Sequence, residues 1–215
     1  MNKKKYLVVL TDIVDSRKIT NRQAFRRALN QAILRVNRMY MHAFIAPIKI
    51  QKGIDELAMV IKPQYQNTVY TIMNELNSTV APVTMRYAIV RGKIDTGFTQ
   101  HDVSKMDGDA FHKAAAGIAL LKENELTIYI KTDNTYFDTH FQAQANLLQI
   151  LKNTWTIKQR KIYTLYKQLN NQYKVAQKMN VSQQTISKVL HSIQAKQVLQ
   201  VEQSFEYWLT ICNKQ

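Results

Sequence analysis

The feature that most restricts the fold of this chain is a long stretch without helix-breaking residues. No glycine or proline occurs between Phe141 and Gln215, and strand-like patterns stop at the same point. Leucine, isoleucine and tryptophan recur at helical spacing between Leu147 and Leu169. Because glycine and proline are the residues that most often interrupt or end helices, residues 140–215 are predicted to be a helical connector followed by a small all-α domain.

The preceding part of the chain alternates between strand and helix patterns. Residues 6–11 are apolar and β-branched, which predicts a buried strand, and apolar residues from Phe25 to Tyr40 keep helical spacing. Further patterns predict strands at 48–51 and 57–61, a helix at 65–76, a strand at 84–91, a helix at 109–122 and a strand at 126–130. The order β-α-β-β-α-β-α-β predicts an α+β sandwich of the ferredoxin-like kind over residues 1–139.

Charge distribution points to a polyanionic partner. The chain carries a net charge of +15, and from His140 onward 10 basic and 2 acidic residues give a local charge of +8. Lysine and arginine near phosphates release condensed counterions, which favours nucleic acid. An anionic membrane surface would satisfy the same charge, but no segment approaches the length of a membrane span. With one cysteine, Cys212, and no recognisable signal peptide, we expect a cytoplasmic protein without a membrane partner.

Residues 171–192 have the pattern of two short helices joined by a tight turn. Asn180 falls at the turn, where asparagine tolerates the left-handed conformation, and Ser182 is a good N-cap for the second helix. That helix buries apolar residues on one face and presents short polar groups on the other, as base edges and phosphates in a major groove require. The predicted DNA-binding residues are Ser182, Gln183, Gln184, Thr185, Ser187, Lys188 and His191.

The string Ala-x-x-Met-Asn-Val-Ser-x-x-Thr-Ile-Ser over residues 176–187 resembles a bacterial helix-turn-helix. A helical hairpin used only for packing is the alternative, and the local positive charge favours double-stranded DNA. Since helix-turn-helix proteins usually read paired half-sites, a homodimer is expected. The segment after Ala195 could form a wing or a dimerising helix, and the pattern does not decide between them.

Two carboxylates of the first part form a candidate metal site. Asp12 ends the first strand and Asp55 lies at the tip of the following hairpin, so a ferredoxin-like sheet makes them neighbours. Together with the backbone carbonyl of Ile13, they could hold Mg²⁺ against nucleotide phosphates, because magnesium prefers oxygen ligands. The alternative is that both are ordinary acidic turn residues.

Four segments resemble the palm-like domains of class III nucleotide cyclases and, more distantly, GGDEF-type diguanylate cyclases. They are Thr11–Ser16, Gly53–Leu57, Met85–Gly92 and Gly108–Ala114. Together with the helix-turn-helix pattern, this layout is similar to the SatD family of bacterial proteins over nearly the full chain. The resemblance implies a nucleotide-cyclase-like domain over residues 1–139 and helix-turn-helix DNA binding in residues 140–215.

The departures from the cyclase pattern argue against turnover. Active cyclases carry an asparagine and, four residues later, an arginine that stabilise the developing phosphate charge, whereas this chain has His112 and Ala116. Alanine cannot supply a cation, and loss of such a contact typically lowers a rate ~10²-fold or more. Ile54 also stands where the hairpin usually has glycine. A degenerate domain that binds a metal-nucleotide without turnover is therefore expected, with His112 and Lys113 as candidate phosphate contacts.

Three functional hypotheses follow. The first is a DNA-binding, transcription-regulator-like protein with a degenerate cyclase-like sensor domain. The second is a Mg²⁺-dependent nucleotide-processing enzyme that uses Asp12 and Asp55. The third is a scaffold whose C-terminal helices bind a protein partner.

Overall fold

A computed structural model describes residues 4–53 and 56–211 of the chain. Over these residues the protein is a mixed α+β structure with five strands, eight α-helices and short 3₁₀ turns. The strands are β1 (Tyr6–Ile13), β2 (Phe44–Lys52), β3 (Glu56–Ile61), β4 (Met85–Gly92) and β5 (Ile128–Lys131). The helices are α1 (Arg22–Met39), α2 (Val69–Val80), α3 (Asp109–Glu123), α4 (Thr135–Asn153), α5 (Ile157–Leu169), α6 (Gln172–Met179), α7 (Gln183–Ser192) and α8 (Ala195–Ile211). The predicted alternation of strands and helices up to β5 is confirmed, and so is the all-helical character of the part that follows.

The strands form one sheet in the order β2-β3-β1-β4-β5. β1 lies in the centre and pairs antiparallel with β3 and β4, whereas β5 is an edge strand parallel to β4. Both faces of β1 are buried: Leu7 and Val9 pack in a core shared with α1 and α2, while Val8 packs in a second core that includes Ala110 and Ala114 of α3. A near-continuous apolar run is what a strand covered on both faces requires.

One predicted helix begins later than its pattern indicated. The prediction placed a helix at residues 65–76, but residues 63–68 form a 3₁₀ segment and α2 starts at Val69. Pro63 is at the start of this segment, and Lys62 before it is extended, as the residue preceding a proline tends to be. Tyr65 has a non-helical backbone (φ −117°), so the segment is kinked before the regular helix begins.

Helix α4 is fixed to the edge of the sheet. The side chain of Asn146 accepts hydrogen bonds from the backbone N–H groups of Thr127 (2.9 Å) and Ile128 (3.0 Å), and it donates to the carbonyl of Ile128 (2.7 Å). This pairing satisfies backbone groups that an edge strand would otherwise leave free. The predicted boundary between residues 139 and 140 falls inside α4, and these bonds place the helix with the sheet. We call residues 6–153 the α+β part.

Helices α5 to α8, residues 157–211, form what we call the helical module. α5 begins with a capping box, in which Thr156 and Gln159 each accept a hydrogen bond from the other's backbone N–H. α8 returns to the α+β part, where Phe205 packs edge-to-face against Tyr70 and at a tilt against Phe141, with ring-centroid distances of 4.8 and 4.5 Å. None of the helices in the described ranges combines the length and the apolar character needed to cross a membrane.

Candidate functional site

The turn between α6 and α7 is held by local hydrogen bonds of the kind that its sequence predicts. Asn180 adopts the left-handed conformation (φ 52°, ψ 50°) and ends α6. Ser182 caps α7, because its hydroxyl accepts a hydrogen bond from the backbone N–H of Thr185 at 3.2 Å. The side chain of Gln183 donates to the side-chain oxygen of Gln172 at 2.7 Å, which ties the first turn of α7 to the start of α6.

These contacts divide the seven predicted DNA-binding residues into two groups. Ser182, Gln183 and Thr185 make the contacts that hold α7 in place. The other four are exposed and point outward: Gln184, Ser187, Lys188 and His191. Their spacing of i, i+3, i+4 and i+7 puts them on one face of the helix. The opposite face is buried through Ile186 and Leu190.

The surroundings of this face are strongly basic. Between Thr156 and Val201 the sequence contains eight lysine or arginine residues and no aspartate or glutamate. Lys174 and Lys178 on α6 are exposed, as is Lys188 on α7. A polar helix face on an acid-free surface provides hydrogen-bonding groups and positive charge together, which is the combination that nucleic acid requires.

The candidate metal residue Asp12 is buried and already paired with two cations. One carboxylate oxygen is 3.0 Å from Arg86 and the other is 2.8 Å from Lys122. In the sheet Asp12 lies opposite Glu56, while Asp55 and Ile54 lie outside the described residues. The side chain of Ile13 is buried at the end of β1.

Two basic groups on Asp12 do not fit a divalent cation, which needs carboxylate oxygens that are not already neutralised. Within residues 4–53 and 56–211, no group of three histidine, cysteine, aspartate or glutamate side chains is arranged to hold a metal ion. Asp55 lies outside the described residues, and the Mg²⁺ site stays a prediction.

The candidate phosphate contacts His112 and Lys113 lie far from Asp12. They are in the first turn of α3, where His112 is 3.5 Å from Asp107 and Lys113 is 2.7 Å from Asp109. The contact of α3 with Asp12 is made by Lys122, ten residues beyond His112 along the helix. At 1.5 Å per residue this is about 15 Å. The structure therefore does not bring the predicted metal and phosphate residues together in one compact site.

Sequence reasoning missed a buried charge cluster where the helical module meets the α+β part. Glu202 of α8 accepts hydrogen bonds from Lys152 of α4, from Lys167 (2.7 Å) and from the hydroxyl of Tyr163 (2.9 Å), both on α5. Burial acts to raise the pKa of Glu202, but the two lysines hold it below its ordinary value. Burial lowers the pKa of Lys152. The available signal was that Glu202 is the first carboxylate after Asp138 and stands among apolar residues at helical spacing.

Comparison with known proteins identifies the family. Residues 6–206 match the SatD family, and the chain belongs to it. No curated protein matches the sequence. Solved structures similar to the chain include two of bacterial light-regulated adenylyl cyclases. The first is 15% identical with a TM-score of 0.44, covering 66% of this chain and 80% of the other. The second is 12% identical with a TM-score of 0.42, covering 59% of this chain and 43% of the other.

Proposed function

We propose that the protein is a DNA-binding, transcription-regulator-like protein in which α6 and α7 form a helix-turn-helix. The observation that carries the proposal is the exposed polar face of α7 on a module that has no carboxylate between residues 156 and 201. The α+β part, whose five strands have the order β2-β3-β1-β4-β5, is proposed to be a ferredoxin-like, degenerate cyclase-like sensor without turnover.

Each exposed side chain of α7 has a chemistry suited to the major groove. Residues near the start of a recognition helix contact base edges, and an amide such as Gln184 pairs with adenine through two hydrogen bonds. Lys188, one turn later, suits guanine or phosphate, and Ser187 and His191 complete the face. Ser182, Gln183 and Thr185 orient the helix for that contact, since their side chains are engaged in the turn.

The test is fluorescence-anisotropy binding of the full chain to genomic duplex fragments over a salt series. Gln184→Ala/Lys188→Ala removes the recognition face. Lys196→Ala/Gln200→Ala is the matched control, because it removes the same two residue types at the same spacing from exposed positions of α8. We expect site-selective binding that the first variant weakens about 10- to 100-fold, as the loss of a bidentate base contact should, and that the control retains.

Two outcomes would reject the proposal. Equal weakening in both variants, without sequence preference, would mean that the basic charge binds polyanions nonspecifically. No binding to duplex DNA at low salt would leave the scaffold hypothesis, in which the same helices bind a protein partner.

We further propose that the protein binds DNA as a homodimer, with α4 contributing to the contact. Leu147 and Ile150 lie three residues apart on α4 and are 69% and 62% exposed, which is unusual for two large apolar side chains on one helix face. Light scattering should give a dimer for the wild-type chain and a monomer for Leu147→Glu/Ile150→Glu. A wild-type monomer on DNA would contradict this proposal.

The alternative of Mg²⁺-dependent nucleotide processing has a separate test. Chromatographic analysis with ATP or GTP and Mg²⁺ or Mn²⁺ should show no turnover, since Ala116 supplies no transition-state cation and Asp12 is paired with Arg86 and Lys122. Turnover that Asp12→Asn abolishes would establish the enzyme instead.

A further inference from the structure

A cavity of about 240 Å³ lies where the helical module joins the α+β part. Its walls come from α2, α4, α5 and α8, together with Trp155 between α4 and α5. The volume is below the usual range for drug-sized ligands and suits a small metabolite. A ligand bound there would contact both parts of the protein at once.

A buried hydrogen-bond donor on the wall has no partner. Trp155 is only 7% exposed, and its indole N–H makes no hydrogen bond. Asn74, also on the wall, accepts a hydrogen bond from Lys152 at 3.1 Å. A buried donor without a partner costs about 1–3 kcal/mol, so proteins rarely keep one unless a water or a ligand supplies the acceptor.

Positive charge on the wall exceeds negative charge. Lys152, Lys167 and Arg160 face the cavity with Glu202 as their one buried counter-ion. Glu75 at the cavity is already paired with Arg35 at 3.1 Å.

Arg160 is the cation with donors to spare. Its Nε donates to the carbonyl of Trp155 at 3.3 Å, and its two terminal nitrogens make no hydrogen bond within the described part of the chain. Burial lowers the pKa of Arg160, as expected for a partly buried cation that forms no direct ion pair within the described part of the chain. A bound anion would relieve that penalty.

We propose that this junction cavity binds a small anion carrying a carboxylate or phosphate group, with Arg160 and Trp155 as its donors. The indole N–H of Trp155 and the terminal nitrogens of Arg160 are donors and the net charge is positive, so the ligand must offer acceptors and negative charge. Arg160 supplies the forked donor that carboxylates and phosphates share. The inference does not depend on DNA binding, so either proposal can fail without the other.

The experiment uses Trp155 as the reporter. The chain has two tryptophans, so Trp208→Phe leaves the emission of Trp155 alone. Inorganic phosphate and succinate are titrated separately into this variant, with sodium chloride at matched ionic strength as the reference. We expect a saturable change in emission and a rise in Tm with at least one of the two anions. A response to phosphate alone or to succinate alone identifies the ligand class, and a response to both supports the shared chemistry.

Matched variants distinguish anion binding in the cavity from nonspecific attraction to the positive charge of the protein. Arg160→Gln removes the cavity cation, whereas Lys161→Gln removes a cation from the exposed side of the same helix. Arg160→Gln should weaken binding about 10- to 100-fold, as the loss of a charge-assisted hydrogen bond does, and Lys161→Gln should leave it unchanged. Trp155→Phe keeps an aromatic ring but removes the N–H, so it should reduce the Tm rise even if Arg160→Gln fails to fold. No saturable response to either anion at millimolar concentration, or equal weakening by both α5 variants, would overturn the proposal.

Discussion

Asp12 and Glu202 are both buried carboxylates held by two basic side chains, yet they arise in different ways. Asp12 lies directly opposite Arg86 in the β1–β4 register, so this pair follows from sheet pairing, and Lys122 reaches it from the surface with 48% of its side chain exposed. Glu202 is paired with Lys152, 50 residues away, through the packing of α8 against α4. The first cluster is a cross-strand pair with an added lysine. The second connects two parts of the molecule.

The two clusters differ in whether the basic side chains can reach water once the carboxylate is removed. Lys122 can turn into water, so only Arg86 would stay buried beside a neutral residue at position 12. Lys152 has just 10% of its side chain exposed and cannot turn into water in the same way. A buried ion without its partner is strongly destabilising, whereas a partly exposed ion loses little. The stability of the protein should therefore depend more on Glu202 than on Asp12.

The largest effect is expected for Glu202→Gln. The substitution leaves Lys152 without a counter-ion in the interior, so the free energy of unfolding should fall by about 3–5 kcal/mol. Urea unfolding measures this loss. Glu206→Gln is the control on the same helix: Glu206 is half-buried and accepts one hydrogen bond, from Thr71 at 2.8 Å, so its loss should be about 1 kcal/mol. Equal losses of unfolding free energy in the two variants would show that the Glu202 cluster stabilises the fold no more than the single hydrogen bond of Glu206 does.

Asp12→Asn should have an intermediate effect, a loss of about 1.5–3 kcal/mol from the weakened bond to Arg86. The same variant tests the predicted metal. If Asp12 bound Mg²⁺, the ion would raise the Tm of the wild-type chain and not that of the variant. We expect Mg²⁺ to leave both unchanged, because Arg86 and Lys122 occupy the two carboxylate oxygens. Stabilisation confined to the wild-type chain would support the predicted metal site.

The comparison also shows which features the sequence could predict. Periodicity of 2 and 3.6 residues predicted the order of the elements up to β5, because burial on defined faces determines that order. Asn180 and Ser182 were predicted as a turn residue and a cap because both act through bonds to neighbouring residues. To predict the Asp12–Arg86 pair, only the register of the adjacent strands β1 and β4 would have been needed, but that register cannot be read from the sequence.

The Glu202 cluster could not be predicted in the same way. Its members come from α4, α5 and α8, and their contact depends on how three helices pack. The roles within the α7 face also depended on the structure, since Gln183 and Gln184 are the same residue type. Only the position of α6 shows that Gln183 contacts Gln172 and that Gln184 faces outward.

A pH series sharpens the contrast between the wild-type chain and Glu202→Gln. The pKa of Glu202 is lowered in the folded state from its ordinary value of 4.5. A carboxylate with a depressed pKa stabilises the fold above the unfolded-state pKa and loses that contribution as pH falls through the folded-state pKa. The Tm difference between the two chains should therefore be constant near neutral pH and narrow below about pH 4.5. A Tm difference that stays constant below pH 4.5 would mean that the charge of Glu202 does not contribute to the stability of the fold.

The smallest effects should come from removing one exposed cation of each cluster. Lys122→Gln breaks a pair whose lysine is half exposed, and such pairs contribute about 0–1 kcal/mol. Lys167 is less exposed, at 26% of its side chain, and its bond to Glu202 is 2.7 Å long. Lys167→Gln should therefore reduce the free energy of unfolding by about 1–2 kcal/mol. This loss should be larger than the loss for Lys122→Gln. If Lys122→Gln has the larger effect, the stability of the fold depends more on Asp12 than on Glu202. Water would then be unable to replace Lys122 as the partner of the Asp12 carboxylate.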